Sequence, residues 1–286
     1  MILVTGATGH LGKATIDFLL NTVSANQIAA LVRDEAKAEE LAAKGVELRR
    51  GDYNDIDSLE KAFAGVDTLL LVSSASLEDR VGQHINAINA AVRAGVKHLI
   101  YTSVVKASHE TKFIPGADHI KTEEYLKQSG ILYTIFRNTF YAEVLPTLWG
   151  NVLESGQWFY PADAAKANFA ARKDMAEALA NVLVSPEKHL NKTYEITGSK
   201  SYTFAEIAEQ LSDVTGKTIT YTDIPLDAFK EGLTKAGVPQ QYVPIIVSIS
   251  EAFKAGEMDA TEEDLETLLG RKPTSLSTYL QETYAH

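Results

Sequence analysis

The sequence predicts an α/β fold: a doubly wound parallel sheet carrying a smaller α-rich C-terminal lobe. Three observations carry that expectation. Apolar runs and helical patterns alternate at short spacing from residue 1 to residue 137. The run VDTLLLVS at 66–73 is apolar almost throughout, as suits a parallel strand covered on both faces. A glycine-rich turn, MILVTGATGHLG, joins the first run to the first helical pattern.

That turn sets the chemistry. Ile2, Leu3 and Val4 form a strand, and Leu11, Ile16, Leu19 and Leu20 begin a helix. Between them Gly6 permits a tight turn, Gly9 permits close approach of a pyrophosphate, and Gly12 lets the helix lie near the strand. Such a turn aims backbone N–H groups and a helix N-terminus at an anion. The context of strand, turn and helix predicts a dinucleotide site.

The next strand, 26–33, ends where a dinucleotide fold meets the adenosine ribose. An acid there would bind the 2′-hydroxyl of NAD; this chain has Arg33, with Lys37 four residues on. A guanidinium fork with a nearby ammonium suits a 2′-phosphate, so NADP(H) is the expected cofactor, with Asp34 an N-cap. A helix over 34–44 and a strand over 46–50 follow, closed by Gly51 and Asp52. Asp52 is either a contact to the adenine amino group or a turn residue. A helix over 55–64 precedes the strand 66–73, after which Ser73, Ser74 and Ala75 leave room for the nicotinamide ribose or form an ordinary loop. A helix over 79–94, a strand over 96–103, a helix over 117–129 and a strand over 131–137 complete the sheet. Ser103 stands at a carboxyl strand end, where open α/β sheets place their chemistry.

After Arg137 the pattern turns irregular and aromatic. Residues 1–137 read as the dinucleotide-binding core. Residues 138–286 read as mixed segments of a substrate lobe with some strands returning to the core. Helices are expected over 172–183, 226–236, 240–254, 261–269 and 275–284, with short strands over 192–196 and 218–221. Thr203 and Glu206 have the spacing of a capping box for a helix running to about residue 215.

Composition narrows the function. A chain of 286 residues, 45% apolar, has ample core. The absence of cysteine removes thiol nucleophiles, disulfides and cysteine metal sites. A net charge of −11 argues against a nucleic-acid surface. No apolar run is long enough to span a bilayer and the first strand begins at Met1, so a cytoplasmic protein without a membrane partner is expected. The histidines and acids lack HExxH-like spacing, and no metal site is expected. A homodimer is the default assembly.

TGATGHLG, LVR with Lys37, GDYND, LLLVSS, GVKHLIYTS, ADHIKTEEYLKQSGILYTIFRNTFYAE and AARKDMAEA together resemble the NmrA-like atypical short-chain dehydrogenase/reductases. The likeness runs along the whole chain, strongly to about residue 185. It implies an NADP-bound Rossmann domain, a small C-terminal domain and a cleft in which a flat acceptor stacks near the nicotinamide. Carried over by position, Gly6, Ala7, Thr8, Gly9, His10, Leu11 and Gly12, with Arg33, hold the cofactor phosphates. Ser73, Ser74 and Ala75 line the sugar side. Arg137, Asn138, Thr139, Phe140, Tyr141 and Ala142 approach the nicotinamide end. Arg172 reaches the cofactor or the cleft; alternatively it caps its helix and pairs with Asp174.

One departure bears on mechanism. Typical members of the wider superfamily use Tyr-x-x-x-Lys, the tyrosine as general acid. Here the tyrosine position holds Pro115 and the lysine position His119, with Lys121 two places late. Alcohol dehydrogenation by the usual tyrosine is therefore not expected. A quinone-like acceptor needs less help, because it is already electrophilic and its product oxyanion is delocalised; positioned donors suffice. His119 becomes the candidate donor or cofactor-orienting group, or else a helix-start histidine bonded to a carbonyl. Tyr141 is a candidate to stack on the acceptor or donate its hydroxyl, and Phe140, Trp149 and Phe159 either shape a flat pocket or belong to the core. The expected function is NADPH-dependent hydride transfer to a quinone or similar conjugated acceptor, and the rival is an NADP(H)-binding redox sensor with little turnover.

Overall fold

Residues 1–285 are described by a computed structural model. The first half alternates β1 (Ile2–Val4), α1 (His10–Leu19), β2 (Ile28–Val32), α2 (Glu39–Ala43), β3 (Glu47–Arg50), α3 (Ile56–Phe63), β4 (Thr68–Leu71), α4 (Arg80–Arg93), β5 (His98–Val104), α5 (Ile114–Gln128) and β6 (Leu132–Asn138). The second half runs β7 (Phe140–Tyr141), α6 (Leu145–Trp149), α7 (Val152–Ser155), β8 (Gln157–Phe159), β9 (Lys166–Ala170), α8 (Arg172–Val184), β10 (Lys192–Ile196), β11 (Ser201–Thr203), α9 (Phe204–Thr215), β12 (Thr220–Thr222), α10 (Leu226–Lys235), α11 (Val243–Lys254), α12 (Asp264–Leu269) and α13 (Leu276–Tyr284).

Seven of the strands form one sheet in the order β10-β6-β5-β4-β1-β2-β3, every neighbour parallel. Successive side chains leave a strand on opposite faces, yet both faces here are apolar. Leu3, Leu69, Leu71, Leu99 and Ile135 pack with Leu59, Phe63 and Ile88 of the helices on one side. Val4, Ala30, Leu70, Ile100 and Phe136 pack with Ile16 and Leu19 of α1 and Met175, Leu179 and Val182 of α8 on the other. A purely alternating polar pattern would have left one face wet. The near-continuous apolar runs are the physical reason that the sheet is buried.

Strand order reverses between β1 and β4, and the crevice beyond their carboxyl ends is where such sheets bind ligands. The glycine turn follows β1, and residues 73–76 follow β4, so these two segments form the walls of that crevice. α8 lies along α1 and leads into β10, which is parallel to β6. Its N-terminus, with Arg172, therefore lies at the same sheet end as the N-terminus of α1.

The remaining segments build a lobe around Trp158, Tyr160, Phe204 and Phe253, all fully buried. Tyr160 stacks on Phe204 with centroids 5.2 Å apart, and Phe204 meets Phe253 edge-on at 5.1 Å. The capping box of α9 is present: Glu206 N–H donates to Thr203 Oγ1 at 3.1 Å, and Thr203 N–H donates to Glu206 Oε2 at 2.7 Å. The Lys106 ammonium donates to the Gly256 and Asp259 carbonyls at 2.8 and 2.7 Å, tying the loop after β5 to the lobe.

Several boundaries differ from the sequence reading. The helix expected over 34–44 is a 3₁₀ turn at Glu35–Ala38 followed by α2, with Asp34 accepting from Ala36 N–H at 3.1 Å as its cap. α5 starts at Ile114, three residues early, because Pro115 suits the first turn of a helix. β7, β8, β9 and β11 carry no periodic signal; all are two to five residues long and held by distant partners.

Candidate active site

The glycine turn closes on itself. Gly6 adopts φ +58°, open to glycine without strain, and its carbonyl accepts from Gly9 N–H at 2.9 Å. A Cβ on Gly12 would collide with the Gly6 carbonyl, so α1 reaches this turn only because residue 12 has no side chain. Gly9 is the N-cap of α1 and offers no side-chain acceptor, which leaves first-turn N–H groups free at the positive end of the helix dipole.

These groups open onto a cleft of about 730 Å³. Of the residues singled out in the sequence, Gly6, Thr8, Gly9, His10, Leu11, Gly12, Arg33, Asp52, Ser73, Ser74, Ala75, Tyr141 and Arg172 line it. Arg33 is exposed at the end of β2, and among the described residues no carboxylate bonds to it. Asp52 lines the cleft and also closes a turn, its Oδ1 accepting from Asn54 N–H at 2.8 Å. At the other end the Arg172 guanidinium lies 4.7 Å over the Tyr141 ring. The backbone N–H of Arg172 donates to both Glu143 carboxylate oxygens at 3.1 Å, so Glu143 caps α8. Burial raises the Tyr141 phenol above its ordinary range, so it is protonated at neutral pH.

Other expected site residues lie elsewhere. Ala7 is fully buried beneath the turn. Lys37 is exposed on its 3₁₀ turn and does not line the cleft. Ser103 and Arg137 are turned onto a buried acid that the sequence reading missed, Glu123 of α5. Ser103 Oγ donates to Glu123 Oε1 at 2.6 Å; Arg137 Nε and Nη2 donate to its two oxygens at 2.9 and 2.7 Å. Arg137 also donates to Glu195 at 2.9 Å, so its guanidinium joins β6, α5 and β10. Asn138, Thr139 and Ala142 are buried behind the cleft, Thr139 donating to the Asn168 carbonyl at 2.8 Å. Phe140 packs between Phe113 and Phe253, and Trp149 against Trp158 and Tyr284, while Phe159 is exposed on the lobe; these aromatics form no flat pocket. Asp174 pairs with Arg271 at 2.8 Å, not with Arg172.

His119 requires a correction of the same kind. It does not line the cleft; its Nδ1 lies 2.7 Å from the Tyr101 hydroxyl in a buried cluster with His84. Burial, with the nearby Arg80 charge, pushes its pKa down to about 3, so no imidazolium is available at neutral pH to act as an acid.

Tyr53, Asn54, Ser76 and Gln83 line the cleft without having been expected. Tyr53 shows why: its hydroxyl lies 2.6 Å from Thr5 Oγ1 and 2.8 Å from the Val72 carbonyl, a bridge between two strand ends that no local pattern encodes. Gln83 was readable, since it stands on the first turn of a helix that follows a cleft loop.

The NmrA-like family model matches residues 1–282. The chain belongs to the NmrA-like family. It is 38% identical over 278 residues to quinone oxidoreductase 2 of Escherichia coli (strain K12), covering 97% of this chain and 96% of that one. The crystal structure of NADPH-dependent quinone oxidoreductase from Escherichia coli in complex with NADPH superposes with a TM-score of 0.94 at 37% identity, covering 99% of each chain. Triphenylmethane reductase of Citrobacter sp., complexed with NADP(H), gives a TM-score of 0.92 at 38% identity and the same coverage. An NAD(P)H azoreductase of Xenophilus azovorans is 30% identical over 84% of this chain and 82% of its own.

Proposed function

We infer that this NmrA-like protein is an NADPH-dependent oxidoreductase that reduces a quinone or similar conjugated acceptor. The observation that carries the reading is the likeness, over nearly the full length of both chains, to a quinone oxidoreductase and a dye reductase solved with this cofactor. The cleft fits the cofactor on its own evidence. The uncapped N-terminus of α1 supplies N–H donors for a pyrophosphate, and the close Gly6–Gly12 contact brings that helix end up to the turn. Arg33 supplies a free cation at the β2 end for a 2′-phosphate. The volume of about 730 Å³ is within the range of small-molecule sites.

Bound NADPH supplies the hydride. The chain's own residues orient and enclose. The glycine turn and Arg33 anchor one end, the 73–76 wall lies opposite the turn, and Tyr141 with Arg172 closes the other end of the cleft. Tyr141 is a protonated side chain on the cleft wall, and its hydroxyl is the donor we assign to the acceptor oxygen as charge develops. His119 is reassigned from donor to a supporting role behind the wall. No lysine–tyrosine pair is required, because the reduced acceptor is a delocalised oxyanion.

Steady-state oxidation of NADPH and of NADH with a panel of simple quinones tests the reading. Saturable turnover favouring NADPH is the expected result. Tight NADPH binding with no turnover across the panel would overturn it in favour of a nucleotide sensor.

A further inference from the structure

Behind the 73–76 wall lies a buried polar cluster that the proposed mechanism leaves unused. The first turn of α4 fastens the wall through three side chains. Arg80 Nε donates to the Ser74 carbonyl at 2.8 Å, and Ser74 N–H donates to His84 Nε2 at 2.9 Å. The Ser74 hydroxyl bonds the Gln83 side-chain oxygen. Positions 80, 83 and 84 are spaced i, i+3 and i+4, which places all three on one helix face. On the neighbouring residue, Ser73 N–H donates to Thr102 Oγ1 at 2.9 Å.

The His84 ring is chemically determined. Its Nε2 accepts from a backbone N–H, so the ring proton is on Nδ1. Nδ1 lies 2.9 Å from Thr122 Oγ1, nearer than the Tyr101 hydroxyl at 3.4 Å, and the Thr122 hydroxyl gives its own proton to the Asp118 carbonyl at 2.9 Å. A lone pair on Thr122 Oγ1 is therefore left to accept Nδ1–H. The ring is fully buried and meets Tyr101 edge-on, with centroids 5.2 Å apart. Desolvation, with Arg80 nearby, pushes its pKa down to about 3, which keeps Nε2 an acceptor.

We propose that His84 is a positioning residue for NADPH: an imidazole protonated on Nδ1 alone holds the 73–76 wall against the cofactor, and Thr122 selects that tautomer. The proposal rests on the reading of this cleft as the NADPH site. It assigns to α4, which contributes only Gln83 to the cleft lining, control over the wall that faces the glycine turn.

The test is NADPH affinity by fluorescence titration, with KM and kcat measured on the same variants. His84→Leu removes the acceptor for Ser74 N–H, whereas His84→Gln keeps one in its amide oxygen. The leucine variant is expected to weaken NADPH binding about tenfold, with kcat at saturating NADPH within about twofold of wild type and the glutamine variant recovering most of the loss. Thr122→Val, nearly isosteric, is expected to weaken binding in the same direction, and Thr122→Ser to restore it. A folded leucine variant that binds NADPH like wild type overturns the proposal, as does equal loss in the leucine and glutamine variants. Should the leucine variant fail to fold, unchanged NADPH affinity in Thr122→Val overturns it. Wild-type protein that does not bind NADPH would instead overturn the assignment of the cleft.

Discussion

Arg33 is the residue on which cofactor choice turns. It is exposed at the cleft end of β2, and no carboxylate among the described residues competes for it. A charge-assisted bond of this kind contributes about 1.5–3 kcal/mol, so Arg33→Ala should raise KM for NADPH by about ten- to a hundredfold. NADH, which lacks the 2′-phosphate, should be nearly unaffected. Steady-state kinetics with both nucleotides checks this, and equal loss of the two would remove Arg33 from the phosphate site. At this scale the backbone-determined features were legible: Gly6 and Gly12 are readable because only glycine permits that turn and that approach. Side-chain partnerships were not. Glu123 and Glu124 stand next to each other in the sequence, and only the phase of α5 against β6 decides that Glu123 is buried and captures Ser103 and Arg137.

At the scale of elements, Glu123 is the joint between α5 and β6. It is fully buried, while Arg137 is 19% exposed and bonded to both of its oxygens. Breaking such a pair leaves a partly buried guanidinium with one carboxylate fewer, at a cost of about 3 kcal/mol. Glu123→Gln should therefore lower the unfolding free energy by about that amount, measured by denaturant titration. A change well under 1 kcal/mol would mean that Glu195 alone suffices for Arg137. Most elements of the first half were readable because the central strands are apolar runs alternating with helical patterns; the edge strand β3, with Glu47, Arg49 and Arg50, is the exception. The lobe was readable at its longer helices, though not at the short α6 and α7, and at Thr203–Glu206, where capping is a local interaction. Of its short strands, β7, β8, β9 and β11 were hidden because their partners lie about thirty to sixty positions away in the chain.

At the scale of the molecule, buried neutral histidines link stability to pH. Burial pushes His84 and His119 down to about 3 and His98 down to about 4. In the unfolded chain each titrates near its ordinary value of about 6.5. Between those values the unfolded state binds more protons, so stability is full above about pH 6.5 and is lost as pH falls toward 4. The melting temperature should fall steadily from pH 7 to pH 5, with protons taken up on unfolding at pH 5.5; a flat profile would show that these rings are charged in the native state. The carboxylates held low, such as Asp67 at about 2, lose their contribution only below this window.

In the proposed reaction, NADPH seated in this cleft passes its hydride to a conjugated acceptor. A single-turnover experiment tests it most directly: the protein is loaded with one equivalent of NADPH, mixed rapidly with excess benzoquinone, and followed through loss of reduced-nicotinamide absorbance. Complete oxidation of the bound nucleotide is expected, in a fast phase that outpaces the reaction of free NADPH with the same quinone. Bound NADPH that persists, or that is oxidised no faster than NADPH free in solution, would contradict it.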